Sequence, residues 1–128
     1  LSQLTSIRVW LKLETMQPTG AFKVRPALNS ILTHINQARE RGVITSSSGN
    51  FAQATAWAAT LLGVNAQIVM MHKVSPFKTK RTKAFGGSIV PCGNSVEERW
   101  ETTFRLQKES SRVLIHPYDS EQSIAGGV

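Results

Sequence analysis

Short β-prone runs alternate with helix-length segments along almost the whole chain, and this alternation constrains the fold more than any other feature. Ile7, Val9, Leu11 and Leu13 alternate with Arg8, Trp10, Lys12 and Glu14, the period of a strand with one face buried more deeply than the other. After the turn Gln17-Pro18-Thr19-Gly20, the residues Leu28, Ile31, Leu32 and Ile35 recur at helical spacing up to Gly42, which predicts one helix with Lys23 in its first turn. Val43-Ile44-Thr45-Ser46 reads as a strand. The alanine-rich segment from Phe51 to Leu62, closed by Gly63, reads as a helix apolar on all sides and therefore buried.

The pattern continues with an apolar run at Ala66 to Met71, a helix from about Pro76 to Phe85 ended by Gly86-Gly87, and a strand at Ser88 to Val90. A further helix follows, with Val96, Trp100 and Phe104 as its expected inward stripe, and Arg112 to Ile115 returns as a strand. Strands alternating with helices through short loops predict an α/β fold with an open parallel sheet and right-handed crossovers. Ligands of such sheets bind at the carboxyl ends of the strands, where Ser46 to Asn50 must lie.

At 128 residues the chain can bury one ordinary hydrophobic core. No apolar run approaches the roughly 18 residues a membrane span requires, and the N-terminus lacks the apolar stretch of a signal peptide. A cytoplasmic location is expected. Cys92 is the single cysteine, which excludes an internal disulfide, and no metal site is expected because no CxxC or histidine-rich partner accompanies it. The formal charge of +7 includes a cluster, Lys73, Lys78, Lys80, Arg81 and Lys83. Only Phe77 in that stretch could stack on a base, so a solvated helix face is favoured over a nucleic-acid surface.

Two segments could carry chemistry. The loop Ser46-Ser47-Ser48-Gly49-Asn50 leads from a strand's carboxyl end to a helix N-terminus, where free backbone N–H groups favour an anion. Gly49 permits close backbone approach and Asn50 can both donate and accept, although one serine could equally be a plain helix cap. Lys23 follows a glycine-containing turn at a positive helix end, close to Arg25, which suits an amine used for Schiff-base chemistry; in isolation a surface lysine explains it as well.

Taken together the segments are more specific. Leu11-Lys12-Leu13-Glu14, Gln17-Pro18-Thr19-Gly20-Ala21-Phe22-Lys23-Val24-Arg25 and Ser47-Ser48-Gly49-Asn50-Phe51-Ala52-Gln53 resemble motifs of pyridoxal-phosphate (PLP) enzymes of fold type II, of the threonine/serine dehydratase and serine racemase kind. Leu62-Gly63, Ile68-Val69-Met70, Gly86-Gly87, His116-Pro117-Tyr118-Asp119 and Ile124-Ala125-Gly126 follow in the family's order.

The resemblance implies PLP as cofactor, carried by Lys23, which would also take the substrate's α-proton. It further implies that Phe22 flanks the cofactor and Asn50 binds its ring oxygen. Ser47, Ser48, Gly49, Asn50 and Phe51 would hold the substrate carboxylate, with Ser48 as a second catalytic group. The implied reaction removes water from serine or threonine and yields a 2-oxo acid and ammonia. Phe51 stands where the family usually has histidine, Pro26 where glycine is common, and Met71-His72-Lys73 replaces a proline-acidic stretch. His72 and His116 read as loop or strand-end residues.

By the same resemblance, residues 1–41 would be a piece of the family's large domain, 42–118 its small domain and 119–128 the start of the return to the large domain. The family's glycine-rich phosphate loop is not found among these residues, so a truncated or partial dehydratase is expected, with a small amino-acid substrate and a homo-oligomeric state. A non-catalytic fragment that oligomerises through the same fold is the alternative.

Overall fold

A computed structural model describes all residues from Leu1 to Val128. A short helix α1 (Ser2–Thr5) and a 3-10 turn (Glu14–Met16) precede α2 (Val24–Thr33) and α3 (Ile35–Arg41). Then come β1 (Val43–Ser46), α4 (Asn50–Leu61), β2 (Ala66–Met71), α5 (Pro76–Ala84), β3 (Ser88–Cys92), α6 (Val96–Ser110), β4 (Val113–Leu114) and α7 (Glu121–Gly127).

The strands form one parallel sheet in the order β3-β2-β1-β4. Thr45 pairs with Ile68, and Ile68 with Ile89. The chain walks outward from β1 to β3 and then returns to the other side of β1. Right-handed crossovers therefore put α4 and α5 on one face and α6 on the other. The reversal between β1 and β4 opens a crevice at the carboxyl end of β1, the usual ligand position in such sheets.

Sequence accounts for most of these elements. Every residue of β1 is buried, as a central parallel strand covered on both faces requires. In α4 the run Phe51 to Ala56 is buried, and its alanines let α2 and the sheet approach closely. A Cβ added at Gly87 would stand 2.9 Å from the Ala56 Cβ and 3.1 Å from Ile68, so α4 and β3 meet there only because the residue is glycine. Pro26 is buried in the first turn of an unbroken α2, where proline costs no helical bond. It packs against α7, where a side chain on Gly126 would come within 2.6 Å of the Pro26 Cα.

Three expectations are corrected. Ile7 to Leu13 forms no strand: Ile7, Trp10, Leu11 and Leu13 are exposed and no other strand pairs with them. Alternation alone does not make a strand, because the backbone N–H and C=O groups must find a ladder. The helix expected to run to Gly42 divides at His34, whose φ of −115° and ψ of 25° leave the helical region. Just before it, Thr33 donates its hydroxyl back to Asn29 O, the kind of side-chain bond that bends helices.

The inward face of α6 also differs from the apolar stripe. Val96 and Phe104 are 47% and 51% exposed, whereas Arg99 and Thr103 are buried against the sheet. Thr103 satisfies its hydroxyl on Arg99 O, and the Arg99 guanidinium finds hydroxyl partners at the end of β1. Those bonds make a polar residue tolerable inside. At the outer edge, β3 runs on to Cys92 through Pro91, as an edge strand permits.

Candidate active site

Lys23 sits immediately before α2, at the end of a tight turn. Gly20 takes φ +75° and donates to Gln17 O at 2.7 Å, so the turn needs glycine. Glu14 braces the turn: it accepts from the Gln17 amide at 2.9 Å and pairs with Arg25 at 3.1 Å. The Gln17 bond is the main influence holding the Glu14 carboxyl below its ordinary value, aided by Lys12 and Arg25.

The Lys23 amine reaches across to the carboxyl end of β4, where it donates to Pro117 O at 3.5 Å. It stands 4.8 Å from the centre of the Phe22 ring and 5.9 Å from that of Phe51. None of the chain's ion pairs includes it. A cavity of about 270 Å³ opens here, and its wall includes Phe22, Lys23, Ser47, Asn50 and Phe51. Residues more than twenty positions apart thus meet at the crevice left by the strand reversal.

The loop between β1 and α4 divides its serines among different tasks. Ser47 Oγ accepts from the N–H groups of Gly49 and Ala52, so it caps α4. Ser48 turns the other way: its Oγ accepts from Met71 N at 3.1 Å and from Arg99 at 3.4 Å. Ser48 and Gly49 do not line the Lys23 cavity. Of the residues expected to form the site, the structure therefore gathers Phe22, Lys23, Ser47, Asn50 and Phe51 and sets Ser48 and Gly49 behind them. A Cβ on Gly49 would meet nothing within 4 Å, so there is open space on that side of the loop.

Four members of the cavity wall, Ser46, Arg99, Pro117 and Tyr118, receive no site role from sequence, although Ser46 opens the candidate loop. Ser46 and Arg99 line the cavity, with Arg99 Nε donating to Ser46 Oγ at 2.8 Å. A buried arginine with no acidic partner is a common mark of anion binding, but hydropathy places it on the outer face of α6. Tyr118 lines the cavity as well, and its loop is organised by His116. The His116 ring stacks on Trp100 with centroids 4.7 Å apart, and Nδ1 accepts from the N–H groups of Tyr118 and Asp119. Burial pushes the His116 imidazole below its ordinary value, against the opposing pull of Asp119.

A lysine amine free of carboxylates, set between aromatic rings and facing a helix N-terminus, is an arrangement suited to an aromatic aldehyde bearing anionic groups. The family comparison agrees, since the family model described as pyridoxal-phosphate dependent enzyme matches residues 1–128. The chain belongs to the PLP-dependent enzyme family.

Among its family relatives, the chain is 37% identical over 126 residues to L-threonine ammonia-lyase of Thermotoga maritima, covering 98% of this chain and 31% of that protein. It is 40% identical over 127 residues to the catabolic L-threonine dehydratase TdcB of Staphylococcus aureus, covering 98% of this chain and 37% of that protein. The structure of maize serine racemase superposes with a TM-score of 0.91 at 39% identity, over 98% of this chain and 38% of that one. The chain thus spans about a third of the length of the curated relatives it matches. The fold is that of the fold-type II PLP enzymes. No helix is long and apolar enough to cross a membrane.

Proposed function

We propose that this chain is the lysine-bearing part of an amino-acid dehydratase of the serine/threonine ammonia-lyase type. The observation that carries the proposal is the meeting of Lys23, Phe22 and Asn50 on one cavity beneath the N-terminus of α4. The residues fit PLP: an amine without an acidic partner can bond to the aldehyde, and the Asn50 amide can reach a ring oxygen. When bound, PLP supplies the electron sink for the charge left on the substrate's α-carbon.

The chain's own groups supply orientation and proton handling. Lys23 Nζ takes the α-proton. The first N–H groups of α4 and Ser47 bind the substrate carboxylate, with Phe51 closing the wall and the side-chain-free Gly49 leaving room for it. The Arg99 guanidinium adds charge complementarity beside them. Ser48 Oγ accepts from Met71 N and Arg99 outside the cavity wall, so it positions the loop, and the proton taken by Lys23 Nζ leaves with the β-hydroxyl. Water then leaves, and hydrolysis gives a 2-oxo acid and ammonia.

Residues 1–41 and 119–128 are assigned to the large domain and 42–118 to the small domain. The packing of α2 on α7 supports that division. Exposed Trp10, Leu11, Leu13 and Ile124 favour a second reading, in which the fold also acts as an oligomerising module. The deciding experiment is borohydride reduction of the PLP-treated chain followed by mass spectrometry. A single pyridoxyl group on Lys23 is expected, and labelling scattered over many lysines would overturn the assignment. Release of 2-oxo acid from serine and threonine then tests the reaction, and light scattering tests association.

A further inference from the structure

A second recess lies at the outer edge of the sheet, beyond the carboxyl end of β2. Two adjoining cavities of about 260 and 500 Å³ share Thr79 and Lys83 of α5. Met70, Ile89 and Pro91 make an apolar floor in the first, and Lys80 joins the rim in the second. Neither shares a lining residue with the Lys23 cavity.

The charge around this recess is unbalanced. No Asp or Glu occurs between Glu40 and Glu97, and none of the chain's ion pairs involves Lys80 or Lys83. Lys80 and Lys83 are three residues apart on one helix face, where like charges repel. Arg81 does not share that face: it lies over the rings of Phe77 and Phe85 at 5.7 and 5.6 Å and donates to Thr19 O. Two lysines, a hydroxyl and a histidine, His72, therefore border an apolar floor with no anion to neutralise them.

We propose that this recess binds a small organic phosphate. The compact ammonium groups of Lys80 and Lys83 match a phosphate dianion as point charges. Thr79, common to both cavities, makes only a long 3.5 Å hydroxyl bond to Ser75 O that a ligand oxygen can replace, and the floor of Met70, Ile89 and Pro91 takes the ligand's apolar body. A dianion bound there also relieves the repulsion between the two lysines.

Phenyl phosphate is the probe, titrated calorimetrically into the 128-residue chain at fixed ionic strength. Saturable binding is expected, tighter than that of inorganic phosphate or benzoate. Lys83→Gln should weaken it about tenfold, the loss of one charge-assisted contact. Lys78→Gln removes the same charge from the same helix but lies outside the recess, and should weaken binding about twofold or less. Both lysines are exposed, so melting curves of the variants should match that of the parent chain. Equal weakening by the two variants would reveal a diffuse ion atmosphere and overturn the site. So would benzoate binding as tightly as phenyl phosphate, or a single-stranded RNA that binds more tightly and is indifferent to which lysine is changed.

Discussion

Arg99 Nε donates to Ser46 Oγ across 2.8 Å, and this bond ties α6 to the carboxyl end of β1. The same guanidinium reaches Ser48, so one side chain fixes both ends of the turn that faces Lys23. Arg99→Ala should leave a cavity and strip Ser46 of its partner, at a cost of about 2–3 kcal/mol in urea unfolding. It should also weaken substrate-carboxylate binding. An unchanged midpoint together with unchanged binding would remove Arg99 from the site.

Thr55 presents the opposite case. Its hydroxyl is fully buried in α4 and has no hydrogen-bond partner. Thr55→Val keeps the shape and removes the orphaned group, so it should stabilise the chain by about 1 kcal/mol, read as a higher denaturation midpoint.

Gly87 is held at close quarters on three sides, by Ala56, Ile68 and Thr82. Gly87→Ala forces β3 away from α4 and should cost about 1–3 kcal/mol. Gly49→Ala, with open space around it, should leave thermal stability nearly unchanged while reducing cofactor or substrate affinity.

His116 should make stability fall in mild acid. Burial holds its imidazole below the ordinary 6.5, so the unfolded chain takes up the proton first as pH drops. Stability is then complete above about 6.5 and declines below it, toward the lower value of the folded state. Protonated Nδ1 can no longer accept from Tyr118 and Asp119, which should loosen the loop beside Lys23. His116→Phe retains an aromatic ring against Trp100 without the titration. Melting temperatures between about pH 5 and 8 should therefore fall more steeply toward acid in the parent chain than in the variant.

Lys23→Ala should abolish the specific pyridoxyl label expected after borohydride reduction, while leaving the fold intact. Lys23 lies at a helix end and makes one long hydrogen bond, so little stability depends on it.

Local pattern was enough for the elements whose burial is uniform. β1 is buried throughout and α4 over most of its length because they lie at the centre of the molecule, and their short loops suit parallel strands. The spacing of Lys23 and the Ser47 to Asn50 loop was equally readable, because motif residues are contiguous in sequence. What sequence alone could not settle was set by partners distant along the chain. Ile7 to Leu13 has the period of a strand but finds no ladder, and α6 turns Arg99 inward because two serines some fifty residues earlier accept from its N–H groups. The three adjacent serines look alike in sequence, yet Ser46 binds Arg99, Ser47 caps α4 and Ser48 faces Met71. Hydrophobic period reports how deeply one element is buried; hydrogen-bond direction depends on what the fold brings opposite it.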